Sequence, residues 1–216
     1  MGNRAVITAS RSTFVKDSND IGVYVHWNGG RDSIEAFLTY CKLKGFRSPE
    51  TDCYGYARLV QVIANFFGGD GLSVGIDRCC NLDCENWDNG VYVIKDWEIV
   101  DRKYFEGSEQ REYKLEEMLL DIDEAQPKAM QMGKKFITAP VVSTDTLKVG
   151  DIVFVNDYRG AYEVAEVVGI GEDKMVNGRN VLGVPYVDIY GRGGDYSWNI
   201  NNYLFNQEYR VSKVDA

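Results

Sequence analysis

The sequence predicts an α+β protein of two parts. Residues 1–126 should hold a mixed or antiparallel sheet with about three helices, and residues 136–216 a small SH3-like β-barrel. Three observations predict this. Period-two alternation and helical stripes interleave up to about residue 126. Composition changes near Pro127, where Gln126 to Lys135 reads as a linker. From Phe136 onward, short apolar runs recur between turn residues with no long helical period. The chain has 216 residues, 44% hydrophobic and 26% charged, enough for one large domain or two small ones with ordinary globular cores.

The elements follow in order. Asn3 to Thr8 reads as a first strand and Ser10 to Asp20 as a loop or hairpin. Ile21 to Trp27 alternates, with Val23, Val25 and Trp27 on one side and Tyr24 and His26 on the other, so Trp27 is expected in the core. After Asn28-Gly29-Gly30, Asp32 should cap a helix with Glu35 in capping-box spacing. Ile34, Phe37, Leu38 and Cys41 form its buried stripe and Gly45 its C-terminal glycine. A second helix is expected over Cys53 to Phe67, with Leu59, Val60, Ile63, Ala64 and Phe67 inward, ended by Gly68-Gly69. Leu72 to Ile76, Val91 to Lys95 and Trp97 to Asp101 should be strands.

Residues 109–124 then read as an acidic helix packing through Leu115, Met118, Leu119 and Ile122. In the second part, Leu147-Lys-Val-Gly-Asp-Ile-Val-Phe-Val155 gives a turn and an apolar strand, a pattern common at the start of SH3-like barrels. Tyr162 to Ile170, Val184 to Tyr190 and Tyr209 to Val211 supply further strands, bent at glycines 169, 171, 178, 183, 191, 193 and 194.

Chemistry concentrates between Ile76 and Gly90, where Cys79, Cys80 and Cys84 fall among carboxylates. Such a loop has no evident packing purpose. Cys80 and Cys84 are spaced as in zinc-binding loops, Cys79 offers another thiolate, and Cys53 or His26 could complete four ligands. One structural zinc is therefore expected. The alternative is a cysteine-dependent hydrolase, with Cys53 near a helix N-terminus as nucleophile and His26 as base. In papain-like enzymes, however, the histidine follows the cysteine. A third candidate is an anion cradle at Gly29-Gly30 with Arg31 as clamp, although no P-loop or dinucleotide pattern is present.

A net charge of −9 argues against direct nucleic-acid binding and suits an acidic face docking on a basic partner. Glu109, Glu112, Glu116, Glu117 and Asp121 are the residues expected to make it. No apolar run reaches a membrane-spanning length, so a cytoplasmic protein with reduced thiols is expected. The single histidine and the absence of hydrolase motifs disfavour an enzyme.

The opening Met-Gly-Asn-Arg-Ala-Val-Ile-Thr, together with Val25 to Ser33 and Val62 to Gly69, resembles proteins of phages and mobile elements of Gram-positive bacteria. Acidic cytosolic blockers of a host nuclease recur among phage accessory proteins. Type II anti-CRISPR proteins are an example, and one of them is described as containing zinc. The resemblance implies a non-enzymatic, zinc-containing inhibitor whose partner is a Cas9-like host nuclease.

Overall fold

The computed structural model describes residues 2–68, 73–109, 111–139, 141–142, 148–156, 162–173, 184–191, 197–199 and 211–214. Contacts divide the chain into two compact units, Met1–Gly133 and Lys134–Ala216. The expectations for Gly69, Leu72, Leu147, Tyr209 and the glycines at 178, 183, 193 and 194 lie outside the described residues.

The first unit is α+β, built on a five-stranded mixed sheet of order β3-β2-β1-β4-β5. Its strands are β1 (Ala5–Thr8), β2 (Ile21–Val25), β3 (Val74–Arg78), β4 (Val91–Lys95) and β5 (Glu98–Lys103). Only the β1–β4 pair is parallel. All four residues of the central strand β1 are buried, so both faces of the sheet are covered. Side chains alternate across the strands. Val6, Val91 and Val93 pack on one face with Val15, Cys79 and Cys84. Ala5, Ile7, Val23, Val25, Tyr92 and Ile94 therefore point to the opposite face, and all are buried.

Helices α1 (Arg31–Leu43), α2 (Cys53–Phe67) and α3 (Leu115–Ala125) pack against one another. Ile34, Phe37, Leu38 and Cys41 are buried on α1 as the stripe requires. The start differs from expectation: Gly30 is the N-cap, with no side-chain cap. Asp32 Oδ2 instead accepts Tyr113 N–H at 2.7 Å and Glu112 N–H, while its Oδ1 takes Ser33 N–H at 2.8 Å. Glu35 is drawn to Arg31 at 2.6 Å, so no capping box forms. At the other end, Gly45 N–H reaches Lys42 O at 2.9 Å and Phe46 N–H reaches Cys41 O at 3.1 Å. With Gly45 at φ 66°, this is a Schellman ending. Helix α2 spans the expected residues, and its N-cap Asp52 accepts Tyr54 N–H at 2.9 Å.

Three features differ from expectation. Trp27 lies beyond the end of β2 and is 46% exposed, so it is no core residue. The acidic helix starts at Leu115 rather than 109, because the amides of Glu112 and Tyr113 are given to Asp32; Leu115 itself is exposed. Residues 126–133 are part of the first unit rather than a linker. Buried Asp123 accepts Met132 N–H at 2.7 Å, Gly133 N–H at 2.8 Å and Tyr40 Oη–H at 2.8 Å. Gln126 donates to Ile122 O at 2.9 Å and Val62 O at 3.2 Å. Asp123→Ala removes three hydrogen bonds at one buried carboxylate. It should lower stability by about 2–4 kcal/mol, read as an earlier urea midpoint with an unchanged slope; a loss below about 0.5 kcal/mol would contradict this role.

The second unit contains a short helix α4 (Lys134–Ile137) and an antiparallel sheet of order β10-β9-β8-β7-β11-β6. Its strands are β6 (Val141–Val142), β7 (Ile152–Asn156), β8 (Tyr162–Asp173), β9 (Val184–Gly191), β10 (Ser197–Asn199) and β11 (Val211–Val214). The turn before β7 forms as read: Asp151 N–H bonds Lys148 O at 3.0 Å and Gly150 sits at φ 92°. The barrel does not follow. Among the described residues the sheet is open, with β10 and β6 at its ends. A ten-residue turn-and-strand pattern specifies how one strand begins, not whether the sheet closes.

Candidate functional site

The cysteine loop leaves β3 and makes a single 3-10 turn, Cys79–Asn81. Two amides hold it to the segment before β2: Cys79 N–H to Asp20 O at 2.8 Å and Cys80 N–H to Ser18 O at 3.0 Å. Cys79 and Cys84 are then buried against Val6, Val15, Val91 and Val93, with Tyr24, Leu82 and Tyr104 at the margin. The loop therefore has a packing purpose after all, and two of its three thiols serve it. Cys80 points out to solvent.

Buried Asn86 closes the loop. Its amide nitrogen donates to Asp83 O at 3.0 Å and Gly90 O at 3.1 Å, and its oxygen accepts Gly90 N–H at 3.0 Å and Asp88 N–H at 3.2 Å. This holds Trp87 at φ 60°, a left-handed conformation unfavourable for a bulky side chain, with the residue 73% exposed.

The two buried thiols are unequal. Cys84 Sγ donates to Cys79 O at 3.4 Å, which sets its thiol beside the Cys79 side chain. Interaction with Cys84, with burial opposing it, lowers the Cys79 thiol below its ordinary value. The same interaction and burial push Cys84 upward. Thr8 Oγ1, 3.6 Å from Cys79 Sγ, gives its own proton to Ile21 O at 2.7 Å, so it accepts from the thiol rather than stabilising a thiolate.

The other candidates lie apart. His26 follows the end of β2, with its N–H on Ser73 O at 2.9 Å and Nδ1 3.2 Å from Tyr24 Oη. Cys79 follows Arg78, which pairs with Ile21 at the opposite end of β2. Five residues of strand separate those ends by roughly 16 Å, whereas zinc ligands stand about 4 Å from one another. Cys53 is exposed at the start of α2. One turn on, Tyr56 Oη accepts Ala9 N–H at 2.8 Å, at the end of β1 away from the Ala5–Val25 pair that adjoins His26. Among the described residues no three His, Cys, Asp or Glu side chains gather around a metal-sized site. The five proposed ligands do not fit zinc in this arrangement, and Cys53 and His26 do not meet as a nucleophile and base. Cys41 is buried alone in α1, where burial pushes its thiol up.

The Gly29-Gly30 turn is packed rather than open. Gly29 N–H bonds Asn3 O at 2.8 Å, and a Cβ there would stand 2.6 Å from Asn3 O and Arg4 C. Arg31 is engaged by Glu35 at 2.6 Å and Glu109 at 2.8 Å.

The acidic residues separate into two groups. Glu109 lies between Arg31 and the more distant Arg102 and Arg111, and so belongs to the internal charge network. Glu112 is exposed in the loop tied to Asp32. Glu116, Glu117 and Asp121 project from α3 into solvent, joined by Glu124 at the end of the same acidic helix. Tyr113 and Leu115, 46% and 47% exposed, stand at the same end of the helix. That apolar pair was missed because Leu115 fits the inward stripe on periodicity alone.

Comparison with family models, curated proteins and solved structures finds no match.

Proposed function

We propose that this chain is a non-enzymatic protein inhibitor whose α3 docks on a basic, nucleic-acid-binding surface of a host nuclease of the CRISPR type, in the bacterial cytoplasm. The observation that carries this reading is the outer face of α3. Glu116, Glu117, Asp121 and Glu124 are all exposed, and among the described residues only Glu117 has an ion pair, with Lys114 at 3.0 Å. The opposite side of the helix is occupied by Met118, Leu119 and Ile122 in the core, so the acids are fixed on a rigid support. Exposed Tyr113 and Leu115 supply apolar contact that carboxylates lack.

Carboxylates on a chain of net charge −9 speed encounter with a basic surface and exclude acidic partners. Glu109 has no part in this contact, since its charge is spent within the fold. The CRISPR nuclease is the partner class that the sequence resemblance implies. The test is plasmid cleavage by a purified Cas9-type nuclease at increasing concentrations of this protein. Inhibition should weaken at least about tenfold from low to high salt, as screening shortens the reach of exposed charges. Absence of inhibition, or inhibition indifferent to salt, would count against the acidic face.

A further inference from the structure

We propose that Cys79 and Cys84 form a redox-active dithiol that a hydroperoxide oxidises to an intramolecular disulfide. The backbone brings the pair together. Leu82 N–H bonds Cys79 O at 3.1 Å and Cys84 N–H bonds Leu82 O at 2.8 Å, so the chain doubles back within six residues. Cys84 Sγ donates to Cys79 O at 3.4 Å, and both side chains lie in one buried cluster with Val6, Val15, Val91 and Val93. An S–S bond of about 2 Å needs side-chain rotation there rather than a new fold. Valines line the site and, among the described residues, no third metal ligand gathers with the pair, which favours a bond between the sulfurs over coordination of an ion.

The cover over the pair is the weak side of the sheet. Loops with single 3-10 turns at Val15–Asp17 and Cys79–Asn81 close it instead of α-helices, and the exposed Lys16–Glu85 ion pair joins them at 2.6 Å. Local opening of such segments costs far less than global unfolding, and hydrogen peroxide is little larger than water. The remaining thiols are excluded by position: Cys80 faces solvent, Cys53 opens α2, and Cys41 is isolated in the core.

The chemistry balances in two steps. The Cys79 sulfur, on losing its proton, attacks one peroxide oxygen; the O–O bond breaks, and the departing oxygen leaves as water, giving a sulfenic acid. The Cys84 sulfur then displaces the hydroxyl group, which leaves as a second water with the Cys84 proton, and the S–S bond forms. Two thiols lose two electrons and two protons, and one peroxide becomes two waters.

The experiment treats the purified full chain with a few equivalents of hydrogen peroxide, then alkylates it in denaturant. The expected product has lost about two mass units, returns to the starting mass with dithiothreitol, and resists alkylation at two of its five cysteines. Proteolysis before Asp83 should leave the two halves of the loop joined until reduction. Cys80→Ser should give the same product at the same rate. Cys84→Ser should stop at a Cys79 sulfenic acid that dimedone traps. Oxidation confined to Cys80 and Cys53, a disulfide lost in Cys80→Ser, or thiols protected until a chelator removes bound zinc would each overturn the assignment.

Discussion

Replacing Gly90 with alanine is expected to lower stability by about 3–5 kcal/mol, among the largest effects of any single substitution in the first unit. Two terms combine at this position. The residue has φ 69°, which a Cβ disfavours. A Cβ would also stand 2.2 Å from Lys103 O and 2.5 Å from Tyr104 O, which are backbone atoms that cannot rotate aside. Gly90 is tied down by its own bonds as well: its carbonyl accepts Val6 N–H at 2.9 Å and its N–H reaches Asn86 Oδ1 at 3.0 Å. Yielding to the clash would pull β4 from β1 or β5 at its first residue.

Gly107 separates the two terms. It has φ 70° with nothing within 4 Å of the position a Cβ would take. Gly107→Ala should therefore show only the dihedral cost, about 1–2 kcal/mol. Urea unfolding of both variants checks this. Equal losses would mean that the carbonyl contacts at Gly90 do not matter.

Much of the fold was legible in the sequence. The α1 stripe and its Gly45 ending, the full span of α2 and the strand Val91–Lys95 all rest on local signals, period and capping residue, whereas the strand expected over Trp97 to Asp101 runs from Glu98 to Lys103. What was hidden depends on partners distant in sequence. Asp32 looked like a cap because nothing local reveals that the amides of Glu112 and Tyr113 arrive 80 residues later. Asp123 looked like one more acid on an acidic helix, yet it fastens residues 132–133 and removes the linker. Cys79 and Cys84 read as ligands because the sequence cannot show that Val6, Val15 and Val91 surround them. His26 and Cys53, both plausible by residue type, fall at opposite ends of the sheet. The exposed acids on α3 were legible as a group, but Glu109 left it for Arg31.

The most direct test of the inhibitor reading is the joint charge reversal Glu116→Lys, Glu117→Lys, Asp121→Lys and Glu124→Lys, assayed for inhibition of a Cas9-type nuclease at low salt. These side chains are exposed on a helix held by Met118, Leu119 and Ile122, so the variant should fold and unfold much like the wild type. Four reversals replace attraction by repulsion over the whole docking face. Association should slow by about 100-fold or more, inhibition should fall in parallel, and its salt dependence should vanish or change sign. A folded variant that still inhibits with wild-type potency and salt dependence would contradict the role of α3.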